Sequence, residues 1–184
     1  MATQLRKKWG RRAELVDQIN SSHVNGDYLP DLHLPEAISA TTDPQEAVDG
    51  ADFVVIAVPS HTLRVSLERW GDVLPRHGAV VSLMKGVELG TTKRMSEVIA
   101  EVAGVAPERI VVVSGPNLAG EIAAKQPSAS VVACVDESLA ERVAQACAAP
   151  YFRPYTNTDV IGTELGGAVK IGRASCRERV SPRV

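Results

Sequence analysis

The sequence predicts an α/β protein built on a doubly wound parallel sheet, and three observations predict it. Its strongest apolar runs, ADFVVIAVP (51–59), HGAVVSLMKG (77–86), RIVVVSGP (109–116) and SASVVACV (128–135), carry no polar–apolar alternation. Strands of that kind are buried on both faces, as in a parallel sheet covered by helices. Helical patterns fall between the runs, and strand–helix alternation is the signature of a doubly wound fold. From Thr158 onward, small and apolar residues open a new helix, and a domain boundary is expected there.

In chain order, WGRR (9–12) reads as the end of a strand and ELVDQINSS (14–22) as the helix that follows. Residues 23–38 read as a loop with a turn at Asn25–Gly26. DPQEAVDG (43–50) is a helix with Asp43 as N-cap and Pro44 at its first position. HTLRVSLERWGDVL (61–74) is the next helix. TTKRMSEVIAEVAG (91–104) starts from a cap at Thr91 or Thr92 and ends near Gly104. ESLAERVAQACAA (137–149) is capped by Asp136.

Composition narrows the function classes. A chain of 184 residues is long enough for one domain with a proper core, or for one and a half. Aromatics are only 4%, so the core is aliphatic. The net charge of −2 conceals an arginine-rich tail: the last fourteen residues carry four arginines and one glutamate, leaving the remainder at −5. Such a body is a poor nucleic-acid binder. Cys134, Cys147 and Cys176 are odd in number and show no CxxC or Cys/His ligand spacing, so no metal site is expected. They read as buried or free thiols in a reducing cytoplasm. No apolar run reaches the length of a secretory core or a membrane span, so a cytoplasmic protein is expected.

A complete dinucleotide-binding sheet of the Rossmann type starts with a strand and a GxGxxG turn, whose glycines let backbone amides approach a pyrophosphate. No GxGxxG occurs in these 184 residues, so an incomplete Rossmann-like sheet is expected. Candidate site residues lie at strand ends, where open α/β sheets bind ligands. Arg11 and Arg12 follow the first strand, where arginine favours the 2′-phosphate of NADP; a solvated basic helix start is the alternative. Lys85 in MKG can point its ammonium at an anionic substrate, or be a surface lysine. SGPNLAGE (114–121) frees backbone amides at a forced turn. ELGGAVK (164–170) brings glycines and one lysine onto a helix, and each interior glycine costs about 1 kcal/mol, which suggests a close approach.

In series, WGRR, NGDYLPDLHLP, AVPS, MKGVE, SGPNLAGE and YTNTDVIGTELGGAVK resemble the NAD(P)-dependent glycerol-3-phosphate dehydrogenases of bacteria over roughly residues 9 to 170. The resemblance implies interconversion of dihydroxyacetone phosphate and sn-glycerol 3-phosphate for glycerophospholipid synthesis, with NADP or NAD as cofactor. It implies Lys170 as the catalytic lysine, polarising the carbonyl or acting as general acid, for which its pKa must fall toward neutrality. It places Lys85 against both substrate and cofactor, Gly115 and Asn117 in the substrate site, and Ala119 beside the cofactor. Asn117 departs from the serine or threonine more usual there. Arg11 and Arg12 match the adenosine end, which favours NADPH. A homodimer is implied for the full-length enzyme.

The likeness also sets expected boundaries. Residues 1–157 are expected as a partial NAD(P)-binding domain, 158–170 as the start of the helical substrate domain, and 171–184 as a non-native tail. IGRASCRERV (171–180) reads as a translated sequencing adapter. Without the glycine turn and the substrate domain, the 184-residue chain is expected to be inactive. The alternative is a non-catalytic nucleotide- or phosphate-binding module whose basic tail engages an anionic partner.

Overall fold

The structure, a computed structural model, describes residues 7–178, with side chains described through Val169. Strand β1 (Lys7–Trp9) leads into helix α1 (Ala13–Ser22). A short hairpin follows, β2 (Val24–Asn25) with β3 (Leu29–His33), where a loop was expected. Pro30 and the turn residues hide it in the sequence, and its register shifts between Val24 and Asn25. Then come β4 (Ser39–Thr41), another strand the sequence reading missed, and α2 (Pro44–Val48). β1 pairs with β4 in parallel. α1 is fastened over them by Val16 and Ile19 against Ala40. Asn20 adds two bonds, accepting from Ala40 N at 2.7 Å and donating to Ala40 O at 2.9 Å.

The main sheet runs in the order β5 (Phe53–Ile56), β6 (Ala79–Ser82), β7 (Ile110–Ser114), β8 (Ser128–Ala133), β9 (Phe152–Asn157). β6 and β7 are buried on both faces, as expected, whereas β5 and β8 are only partly buried and Val55 is 43% exposed. Val80 and Ile110 point to one side, where α3 (Leu63–Trp70) and α4 (Met95–Ala103) supply Leu63, Leu67, Val98 and Ile99. Ala79, Val81, Val111 and Val113 point to the other side, against Leu139, Ala140 and Val143 of α6 (Glu137–Cys147). Each fully buried valine or leucine contributes about 1.5–3 kcal/mol relative to exposure. A short α5 (Ala119–Ala123) and a long α7 (Val160–Glu178) complete the described chain.

Four details differ from the sequence reading. β7 and β8 are antiparallel, so the sheet is parallel-dominated and not purely parallel. β9 was missed because FRPYTN is polar and contains proline; it lies at the sheet edge, where proline is tolerated. The one-turn α5 within SGPNLAGE was also missed. α4 begins at Met95 after Arg94, not at Thr91 or Thr92, because Thr91 instead donates to Glu88 within the preceding turn. Asp43 and Asp136 do cap α2 and α6, accepting from Gln45 N at 2.9 Å and Ser138 N at 3.0 Å.

The pair β1 with β4 and the five-stranded sheet from β5 to β9 are separate sheets among the described residues. Asp52 O accepts from Ala79 N of β6 and Ile56 O from Leu83 N just past it, so Phe53 and Val55 turn their backbone groups to the opposite edge. Gly10 N donates to Thr41 O, so Lys7 and Trp9 likewise face away from β4. These two unpaired edges line one cleft of about 730 Å³, walled by Trp9, Leu15, Val55, Trp70 and Leu74. The indole rings of Trp9 and Trp70 lie 6.2 Å apart. Trp70 Nε1 is buried without an acceptor among the described residues.

Candidate functional site

β5, β6 and β7 run parallel, so their carboxyl ends share one edge of the sheet. Just past β6, Lys85 is half-buried and its Nζ donates to Gly115 O at 2.6 Å, just past β7. Gly115 is glycine for space: a Cβ there would meet Ala129 O at 2.9 Å and Ser130 Cα at 3.0 Å. Two residues on, Asn117 Nδ2 donates to Ser130 Oγ at 2.9 Å, and Ser130 Oγ donates to Ser114 O at 3.0 Å. Asn117 Oδ1 is buried without a donor among the described residues. An ammonium and an unpaired amide oxygen at one strand edge suit a ligand that carries both an oxyanion and a hydroxyl.

α7 closes over this edge. Asp159 caps it, accepting from Gly162 N at 2.8 Å. Gly167 packs directly on Ser114, and a Cβ at Gly167 would run into Ser114 Oγ. A cavity of about 400 Å³ remains, bounded by Ser114, Gly115, Asn157, Asp159, Thr163 and Gly166. Lys170 lies on the α7 backbone three residues past Gly167; its side chain lies outside the described residues.

The predicted residues therefore fall into two groups. Lys85, Gly115 and Asn117 come together, with Ala119 exposed at the start of α5 nearby in sequence. Arg11 and Arg12 instead line the cleft between β1 and β5, at the end of β1. Arg12 is ion-paired to Asp27, whose bond raises the guanidinium's pKa above its ordinary value. Arg11 has no ion pair among the described residues. Lys8, in the same cleft, has its ammonium pKa lowered by burial.

Sequence reasoning missed the polar residues that hold these loops. Glu164 is 6% exposed and joins α7 to Arg94 and Ser96 at the start of α4. Its spacing of three residues from Gly167 put both on one helix face and was the available signal. The turn 87–93 is held by Arg64, which grips both carboxylate oxygens of Glu88 at 2.8 and 2.9 Å. Those bonds, with one from Thr91, lower the Glu88 pKa from 4.5 to about 2. A depressed carboxylate pKa gives stabilisation that is present above the unfolded value and lost as pH falls. Protection factors of the amides in residues 87–93, taken relative to intrinsic exchange at each pH, are expected to fall progressively from about pH 4.5 to about pH 2. Unchanged protection factors over that window would sink the assignment.

The family model described as NAD-dependent glycerol-3-phosphate dehydrogenase N-terminus matches residues 3–140. The glycerol-3-phosphate dehydrogenases [NAD(P)+] of Streptomyces avermitilis and Streptomyces coelicolor are 61% and 62% identical over 162 residues, 88% of this chain and 48% of theirs. The chain thus spans about half the length of the curated relatives it matches. The crystal structure of glycerol-3-phosphate dehydrogenase from Coxiella burnetii superimposes with a TM-score of 0.80 at 30% identity, over 88% of this chain and 49% of that one. With most of its length matched by the family model, this chain belongs to the NAD-dependent glycerol-3-phosphate dehydrogenase family.

Proposed function

We propose that the chain forms the cofactor-side portion of an enzyme that interconverts dihydroxyacetone phosphate and sn-glycerol 3-phosphate. The observation that carries this reading is the meeting of Lys85, Gly115 and Asn117 at the ends of β6 and β7, where Lys85 Nζ lies 2.6 Å from Gly115 O. The cleft between β1 and β5 fits the adenosine end of a nicotinamide dinucleotide. Its walls are aromatic and aliphatic, and guanidinium groups, which suit a phosphate, stand at its mouth. Arg11, not engaged by Asp27 as Arg12 is, would take the 2′-phosphate of NADPH, which makes NADPH the favoured form. The bound nicotinamide would supply or accept the hydride.

The chain's own residues do the remaining work. Lys85 offers a positive charge to the substrate's oxygens, and Gly115 holds that ammonium in place through its carbonyl. Asn117 offers its unpaired Oδ1 to a substrate hydroxyl. Lys170, carried on α7, would donate a proton to the carbonyl oxygen during reduction and recover it during oxidation. The 184 residues contain no glycine cradle for a pyrophosphate, so this chain by itself is expected to bind ligand weakly and to turn over below detection.

The test is lysine acylation read by peptide mass spectrometry with and without ligand. Millimolar sn-glycerol 3-phosphate is expected to protect Lys85 and Lys170, and glycerol is expected to protect neither. Equal labelling under all three conditions would remove the substrate assignment.

A further inference from the structure

We propose that Glu164 is a positioning residue whose carboxylate locks α7 to the loop starting at Lys85, so that Lys85 and Lys170 are set as one unit. The inference rests on reading both lysines as site residues, and it names the device that aligns them.

Glu164 is buried, yet both its oxygens are used. Oε1 accepts from Ser96 N at 2.9 Å, while Oε2 accepts from Ser96 Oγ at 2.5 Å and Arg94 Nη1 at 2.8 Å. A buried carboxylate is costly unless it is paired and hydrogen-bonded, and a fully satisfied one admits a single geometry. All three donors stand at the entrance of α4. Ser96 is its second residue, so its N–H is among those a helix leaves without an internal acceptor. α7 thus satisfies the start of α4 from seventy residues away in sequence.

From this node, rigid paths lead to both lysines. Arg94 is bridged to Val87, and Glu88 N donates to Lys93 O at 2.8 Å, closing the turn that begins beside Lys85. On the other side, Glu164 and Lys170 lie six residues apart on one continuous helix, about 9 Å along its axis. Lys85 is itself tied to Gly115, whose neighbour Ser114 packs on Gly167. Loop and helix are therefore joined twice, once by polar bonds and once by close packing. Arg94 also pairs with Glu97 at 3.2 Å, so removing the charge of Glu164 leaves the guanidinium with a partner and the fold with a route to persist.

The test compares the wild-type chain with Glu164→Gln, Arg94→Met and Arg94→Lys. It reads amide exchange by segment and acylation rates at Lys85 and Lys170. In Glu164→Gln and Arg94→Met, exchange at 86–94 and at 164–168 is expected to rise together, by about tenfold, while β7 stays as in the wild type. Both lysines are expected to label faster by similar factors, and Arg94→Lys, which keeps a donor, is expected to restore the wild-type values. Three outcomes would overturn the proposal: a rise confined to 164–168, unchanged labelling of either lysine, or equal loosening of β7, which marks a general structural role. None of these readouts uses substrate. Failure of sn-glycerol 3-phosphate to protect the lysines would count against the dehydrogenase reading alone.

Discussion

Replacing Lys85 by methionine is expected to weaken binding of sn-glycerol 3-phosphate by tenfold or more while leaving the chain folded. Methionine keeps much of the aliphatic stem that packs at the end of β6 and removes the ammonium. A hydrogen bond to a charged group is worth about 1.5–3 kcal/mol, and about 1.4 kcal/mol is a tenfold change in affinity. The same ammonium donates to Gly115 O at 2.6 Å, so its loss also frees the loop that carries Asn117. Stability should fall little, because Lys85 is only half-buried and the core beneath it is apolar. Lys85→Arg tests charge against shape. The guanidinium keeps the charge but is planar and larger, so an intermediate loss is expected. Ligand-observed nuclear magnetic resonance titration suits the weak affinities involved. Equal affinity in wild type and Lys85→Met would remove Lys85 from the site, whatever the family likeness suggests.

The fold was legible wherever a single local rule decided it. Val80, Val111 and their neighbours announced a sheet buried on both faces, because nothing polar interrupts those runs. Asp43 with Pro44, and Asp136, marked helix starts through side-chain oxygens that accept from the first turn. Elements held by distant partners did not show. FRPYTN becomes strand β9 because β8 offers it six paired positions, not because its own residues prefer extension. Thr91 looked like a cap, yet its hydroxyl is taken by Glu88, and that choice depends on Arg64 holding Glu88 from another helix.

The site divides along the same line. Lys85, Gly115 and Asn117 sit at strand ends, which is where sequence order alone places ligand residues, and they do converge. Glu164 escaped notice because its partners are about seventy residues away, at Arg94 and Ser96. A buried acid in a helix that also carries glycines reads from sequence as a solvent-facing residue. Only packing against α4 turns it inward.

Adjacent glycines on α7 give the sharpest test of how that helix is seated. Glycine to alanine inside a helix ordinarily stabilises by about 0.5–1 kcal/mol, since alanine gives up less backbone freedom on folding. Gly166 has open space where its Cβ would stand, so Gly166→Ala is expected to stabilise by about that amount. Gly167 faces Ser114, and its Cβ would collide with Ser114 Oγ, a hydroxyl on a residue only 5% exposed. Gly167→Ala is therefore expected to destabilise by about 1–3 kcal/mol, the usual cost of overpacking. Gly167→Val should be worse, because its two γ-methyl groups add bulk beyond a Cβ that already collides with Ser114 Oγ. Removing the hydroxyl should relieve the clash: in a Ser114→Ala background, the cost of Gly167→Ala is expected to shrink to near zero, a coupling read directly from a double-mutant cycle. Urea unfolding of the wild type, Gly166→Ala, Gly167→Ala, Ser114→Ala and the Ser114→Ala/Gly167→Ala double variant decides the matter. If both alanines stabilise alike, α7 does not rest on β7 through Gly167, and the alignment of Lys170 with Lys85 loses one of its two supports.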